Sequence, residues 1–150
     1  MLAMRLIRIF SVLTLLLALA TFKVDAQCKA FAKKDCLPEL SPYTHDGNYH
    51  AAVLVEGEEA ELYKTFYSDM EYRVAIVGEG KLPAIEFKIL DENKNVLYSN
   101  KDHEYAKTWD FKLESSKQLK LVVKVTPFNK PGDVPASGCV AIMFGFKVKK

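Results

Sequence analysis

The sequence has few of the residues on which catalytic and metal sites depend. Its 150 residues include three cysteines and three histidines, with no C-x-x-C pair and no histidines at the spacing of metal ligands. We therefore predict no zinc or other metal site, no catalytic residue and no cofactor. The chain also lacks long helical periodicity, internal repeats and linkers, which argues against a parallel α/β fold and against several domains.

The first 26 residues have the pattern of a cleaved export signal. Arg5 and Arg8 precede an apolar run at residues 9–20, and a small-x-small triplet ends before Gln27. The run is shorter than the about 20 apolar residues of a spanning helix. We predict cleavage before Gln27, a secreted or periplasmic domain of residues 27–150, and no integral membrane segment in that domain.

Removal of this leader leaves a chain with no net charge. The full sequence has 21 Lys and Arg against 19 Asp and Glu. The leader carries three of the basic residues and one of the acidic ones, so 18 of each remain. A neutral domain lacks the basic surface that nucleic acids require, and no nucleic-acid partner is predicted.

Alternating apolar and polar residues dominate the sequence after residue 48. About eight strands separated by polar or Gly/Pro breaks predict an all-β fold, a single antiparallel β-sandwich resembling a jelly roll. A short N-terminal helix should precede it and end at Pro38. Trp109 shares its strand face with Tyr105 and Phe111, which predicts that it fills the core.

The cysteines are expected to have a structural role, since disulfides persist in exported proteins. The eight residues from Cys28 to Cys36 rise about 12 Å if helical, whereas a disulfide needs Cα atoms within about 7 Å. We predict a bond from this segment to Cys139, with Cys36 preferred over Cys28; a Cys28–Cys36 bond and no bond stay open. Ala141 and Gly145, on the strand face of Cys139, are small enough to admit a covering segment.

One loop, residues 41–50, gathers polar and aromatic side chains that could bind a sugar or a peptide. Pro42 and Gly47 make the same composition typical of an ordinary turn-rich loop. The candidate ligand-binding residues are Tyr43, His45, Asp46, Tyr49 and His50.

Two further kinds of site stay open. Asp91, Asn93 and Asn95 match the opening of a calcium loop but lack its later glycine and glutamate, and a polar hairpin turn explains them equally well. Cys139 could be the nucleophile of a cysteine hydrolase, with His45 or His50 and Asp46 as partners, but no catalytic signature surrounds it.

Three stretches carry a resemblance to a known group. The segments TFYSDMEYRVAIVGEG, the W-D-F and S-x-Q-L strands, and SGCVAIMFGFK resemble small exported bacterial proteins of unassigned function. The layout is also similar to GOLD-type and pre-peptidase-type β-sandwiches. This resemblance implies a module that binds or assists, with an unknown protein or glycan partner. We predict a non-enzymatic binding module of the cell envelope or extracellular space; a carbohydrate- or calcium-linked binding domain is the alternative.

Overall fold

The computed structural model describes residues 23–128, 132 and 134–148, so most of the predicted leader lies outside the described residues. The chain starts with helix α1, Lys23–Phe31, followed by a π-helical turn, Ala32–Cys36, and a 3-10 turn, Leu37–Leu40. Nine strands follow: β1 Thr44–His45, β2 His50–Val55, β3 Glu59–Phe66, β4 Met70–Gly78, β5 Ile85–Leu90, β6 Val96–Ser99, β7 Thr108–Lys112, β8 Lys117–Val125 and β9 Ser137–Val148. A second 3-10 turn, Asn100–His103, lies between β6 and β7.

The strands form two antiparallel sheets that pack face to face. The first has the order β1-β9-β4-β7, with β2 pairing along another part of β9. The second has the order β3-β8-β5-β6. The prediction of an all-β antiparallel sandwich with a short N-terminal helix is confirmed.

The core lies between the sheets and follows the predicted alternation. On β8, Leu119, Leu121, Val123 and Val125 are buried, while the residues between them are more exposed. The other strands contribute further buried side chains to the same cluster: Phe66, Tyr72, Val74, Ile76, Phe87, Ile89, Phe111, Val140, Ile142 and Phe144. Burial of one face of each strand is the main source of stability in such a sandwich.

The predicted strand around Trp109 begins later than its alternation suggests. Glu104 and Tyr105 have positive φ angles of 54° and 55°, and the Tyr105 amide donates to the Asn100 carbonyl. This turn ends the alternation, so Tyr105 is exposed and the prediction that it faces the core was wrong. Trp109 is partly buried and packs against the core cluster.

The N-terminal segment, residues 28–40, covers the outer face of the first sheet, and we call it the covering segment. Cys28, Ala32, Cys36 and Leu40 recur every four residues, lie on one stripe and are all buried. The last three of these residues pack against Ala75, Val77, Ala141 and Met143 of β4 and β9. The small residues on this face of β9 therefore admit a covering segment, as the sequence indicated.

The disulfide joins Cys139 to Cys28, with Cα atoms 5.3 Å apart, and Cys36 is a free buried thiol. The prediction of Cys36 as the partner of Cys139 was wrong. The covering segment runs along β9, so that Cys28 lies over Cys139, and the Cys36 Sγ lies 3.8 Å from the Ala141 carbonyl. Burial raises the pKa of the Cys36 thiol to about 12, which keeps it protonated and unreactive.

No helix within the described residues is long and apolar enough to cross a membrane.

Candidate functional site

The loop predicted to bind a ligand is divided between two locations, and Tyr43 lies at the first. Its hydroxyl donates to Asp110 Oδ2 at 3.2 Å, and its ring lies beneath the Arg73 guanidinium and the Lys147 ammonium. Arg73 donates to both oxygens of Asp110, and its Nη1 donates to the Ser41 carbonyl at 2.6 Å. These contacts fasten the end of the covering segment to the first sheet.

His45 and Asp46 lie at the second location, on the edge of the sandwich. Asp46 accepts hydrogen bonds from Lys64 Nζ at 2.8 Å and from the Asn48 amide at 2.9 Å. Burial alone would raise the pKa of Asp46, but the Lys64 and Asn48 hydrogen bonds outweigh it and lower the pKa. Lys64 comes from the second sheet, so this ion pair joins the two sheets.

Tyr49 and His50 lie beside this ion pair. The Tyr49 ring contacts His45 edge-on at 4.7 Å, and His50 lies edge-on to the core residue Phe144. Burial lowers the pKa of His50, which favours its neutral form. Each of the five predicted residues thus contacts other residues of the fold, and their role in ligand binding stays a prediction.

A more open arrangement lies at the opposite end of the strands. Three connections between strands lie at one end of the sandwich. The strand registers show this, because they pair Val55 with Ser137, Gly78 with Val140 and Ile85 with Val125. We call this surface the loop end; it consists of the β2–β3 turn, the β4–β5 loop and the β8–β9 loop. The sequence marks the last of these as the longest loop but carries no signal of a function for it.

Glu56, in the β2–β3 turn, holds both ends of the β8–β9 loop. Its Oε1 accepts the Phe128 amide and its Oε2 accepts the Ala136 amide at 2.8 Å. Its own amide donates to the Ala136 carbonyl at 2.9 Å. Hydrogen bonds to a carboxylate are stronger than neutral ones, so one side chain fixes where this loop leaves the sheet and where it returns. The sequence carries no signal for this pairing, because the partners are 72 and 80 residues apart.

The described part of the β8–β9 loop presents apolar side chains to solvent. Val134 is 91% exposed and Phe128 is 58% exposed. Beside the loop end, an open cleft of about 560 Å³ separates the covering segment from the β4–β5 loop. Asp35, Glu79 and Lys107 are among the residues that line it. Exposed apolar side chains beside a polar cleft are features found at protein interaction surfaces.

The residues of the predicted calcium loop and the cysteine considered as a nucleophile both have structural roles. The carboxylate of Asp91 accepts the amides of Asn93 and Asn95 and the Asn95 side-chain amide, which builds the β5–β6 hairpin turn. Cys139 is disulfide-bonded, so its proposed role as a nucleophile was wrong. In the described part of the chain, no three His, Cys, Asp or Glu side chains are placed to hold a metal ion.

The fold can be compared with those of known proteins. No family model matches the sequence, and no curated protein matches it. Among solved structures, the chain is similar to PliG from Aeromonas hydrophila, a periplasmic lysozyme inhibitor of g-type lysozyme. The two share 8% sequence identity with a TM-score of 0.51, and the match covers 71% of this chain and 89% of that chain. At this identity the similarity concerns the fold alone; the likeness to GOLD-type and pre-peptidase-type sandwiches stays a prediction.

Proposed function

We propose that this chain is an exported, non-enzymatic protein that acts by binding another protein through the loop end. The observation that carries the proposal is the β8–β9 loop, whose two ends are held by Glu56 and which exposes Phe128 and Val134. A loop whose ends are fixed before binding loses less conformational entropy on association, and this favours affinity. Exposed apolar side chains supply the area that a protein partner can bury.

The similarity to PliG supports the choice of a protein partner. That protein is a lysozyme inhibitor and has the same general fold, so a sandwich of this kind can act by binding. The predicted export signal and the disulfide agree with a location in the periplasm or beyond. We therefore propose a lysozyme as the first partner to test, with inhibition as the expected effect.

The test compares the mature chain with two variants that change exposed apolar residues. The double variant Phe128→Ser, Val134→Ser removes the apolar side chains of the loop, and Tyr63→Ser removes a tyrosine that is 56% exposed on the second sheet. We expect binding to g-type lysozyme by surface plasmon resonance and inhibition in a cell-wall lysis assay. Hot-spot truncation weakens binding by about 2 kcal/mol or more, roughly 30-fold, so the loop variant should lose at least this much while Tyr63→Ser binds normally.

Two results contradict the proposal. Equal binding by both variants would exclude the loop end as the contact surface. Binding to a glycan array but to no protein, whether or not calcium is present, would favour the carbohydrate- or calcium-linked alternative instead.

A further inference from the structure

The covering segment carries charges of opposite sign on its two sides. Its buried stripe lies against the first sheet, between these two sides. Asp35 and Glu39 line the open cleft beside the β4–β5 loop, and there Glu39 pairs with Lys107 at 3.8 Å. Lys29 and Lys33 lie on the other side, over the β1–β2 loop. The two lysines are therefore turned away from the acidic residues of their own segment.

The two lysine side chains converge on one aromatic ring. The Nζ atoms of Lys29 and Lys33 lie 5.5 Å and 5.4 Å from the centroid of the Tyr49 ring, and His45 contacts the same ring edge-on at 4.7 Å. Tyr49 is half-buried, whereas both lysines are exposed. An aromatic face attracts ammonium groups, so Tyr49 holds two positive charges at a position open to solvent. We call this surface the basic patch; it consists of Lys29, Lys33, His45 and Tyr49.

No carboxylate among the described residues forms an ion pair with either lysine of the basic patch. The acidic side chains on this side of the molecule already have partners. Asp46 pairs with Lys64 at 2.8 Å and also accepts the Asn48 amide. Glu61, which lines the same cavity as Tyr49, pairs with Lys120. The basic patch therefore keeps the two positive charges of its lysines.

These two charges indicate the kind of ligand that fits. A phosphate monoester carries about −1.5 to −2 charges at pH 7 and presents three strong acceptor oxygens, and Lys binds phosphate as a point charge. Such a group can neutralise both ammonium groups at once. A carboxylate, a sulfate ester or a phosphate diester has a single negative charge and would leave one ammonium without a counter-charge.

We propose that the basic patch binds a phosphate monoester, with the ammonium groups of Lys29 and Lys33 donating to its oxygens and the Tyr49 ring positioning both. This inference goes beyond the proposed function, because the patch is separate from the loop end. Tyr49 precedes β2 and the loop end follows it, and His50–Val55 spans about 16 Å at about 3.3 Å per residue. The phosphate can belong to a soluble sugar or to a lipid headgroup, and the test distinguishes the two sources.

The first arm of the test titrates the mature chain with glucose 6-phosphate, followed by NMR, with glucose and glucose 6-sulfate as matched controls. We expect glucose 6-phosphate to shift the amide signals of residues 29–33 and 45–50 and to leave those of residues 56–58 unchanged. It should bind about tenfold more tightly than glucose 6-sulfate, because it offers a second charge. Binding should weaken as salt is raised, and glucose should not bind.

The second arm measures co-sedimentation with phosphatidylcholine vesicles that contain either phosphatidic acid, a phosphate monoester, or phosphatidylglycerol, a phosphate diester. Binding to phosphatidic acid vesicles without shifts from glucose 6-phosphate would assign the phosphate to a lipid headgroup, and the reverse result would assign it to a soluble ligand. Two results overturn the inference: binding in neither arm, or equal binding of the monoester and its singly charged control in both.

Substitutions in the covering segment identify the site. Lys29→Gln and Lys33→Gln should each weaken binding about tenfold, whereas Lys34→Gln removes the same charge from an exposed neighbouring position and should have little effect. Equal losses in all three variants would contradict a defined site. Thermal unfolding of each variant checks that the fold is intact.

Two substitutions of Tyr49 test its positioning role. Tyr49→Leu removes the ring without changing the charge and should weaken binding, and Tyr49→Phe keeps the ring and should restore most of it. A Tyr49→Leu variant that binds as the wild type does would contradict this role. The Phe128→Ser, Val134→Ser variant should bind the phosphate monoester normally, so a failure of the loop-end proposal can be told apart from a failure of this one.

Discussion

Lys64 is a charged residue on the side of a strand that faces the core. It faces inward on β3, beside the core residue Phe66, and its ammonium lies over the rings of Phe144 and Phe66 at 5.1 and 5.9 Å. Asp46 accepts its hydrogen bond. A charge in such a place is tolerated only when it is paired, so the two residues depend on each other.

We expect Asp46→Asn to destabilise the protein by about 1.5–3 kcal/mol at neutral pH, the usual value of a hydrogen bond to a charged group. The folded-state pKa of Asp46 is lowered, so its contribution is complete above the unfolded value of about 3.9 and is lost as the pH falls through the folded pKa. Urea unfolding at pH 7 and at several values below pH 4 measures this. Asp69→Asn, at an exposed turn, is the control. A variant whose deficit stays constant across this pH range contradicts the ion-pair role.

Trp109 should stabilise the side of the sandwich between β6 and β7, where its ring stacks between those of Tyr98 and Phe111. Trp109→Ala removes the ring between Tyr98 and Phe111, and we expect a loss of about 3 kcal/mol, the low end for such truncations because Trp109 is partly buried. Trp109→Phe keeps a stacked ring and should cost less. Thermal and urea unfolding measure both variants, and equal losses would show that stacking at this position contributes little.

At the scale of elements, the covering segment is attached to the sheet at both ends. The disulfide holds its start, and Arg73 holds its end through the Ser41 carbonyl at 2.6 Å and the Glu39 carbonyl at 3.3 Å. Between these points, burial of Ala32, Cys36 and Leu40 supplies the hydrophobic contact. A segment of about twelve residues without strand pairing depends on such attachments to remain in place.

We expect the double variant Cys28→Ala, Cys139→Ala to lose up to about 4–5 kcal/mol of stability, because the bond spans 111 residues and restricts the unfolded chain. Amide hydrogen exchange in residues 27–40 should speed up more than exchange in β8. Cys36→Ala, which leaves the bond intact, is the control. Non-reducing peptide mapping of the wild type should yield a peptide joining Cys28 to Cys139, and a Cys36–Cys139 peptide would contradict the structure.

At the scale of the whole molecule, the export prediction and the disulfide are connected. Helix α1, Lys23–Phe31, extends across the predicted cleavage point before Gln27. Cleavage there removes the first four residues of the helix and leaves Cys28 as the second residue of the mature chain. The disulfide then fixes the new N-terminus directly against β9.

Intact mass spectrometry of the exported protein should therefore show a chain that begins at Gln27, as the free amine or as pyroglutamate. Replacing Ala26 with Arg disrupts the small-x-small pattern and should block processing. An exported wild-type chain that begins at Met1, or a diacylglycerol on Cys28, contradicts the prediction.

The sequence by itself determined the class of fold and most of the core. Alternation decides which face of each strand is apolar, and burial of that face requires a second sheet, so the pattern alone assigns Val74, Phe87 and Val123 to the core, where they lie. It failed at Tyr105, where a local turn with positive φ interrupts an alternating pattern. Such turns normally use glycine, and no glycine marks the turn here.

Only the tertiary structure decided which groups meet across long stretches of chain. Cys28 and Cys36 lie on the same buried stripe, and the position of that stripe along β9 selects Cys28 as the partner of Cys139. The same holds for Glu56 and the two ends of the β8–β9 loop that it holds. Local patterns record the periodicity of each element, but the register of one element against another depends on the packing of both surfaces at once, which neither segment encodes alone.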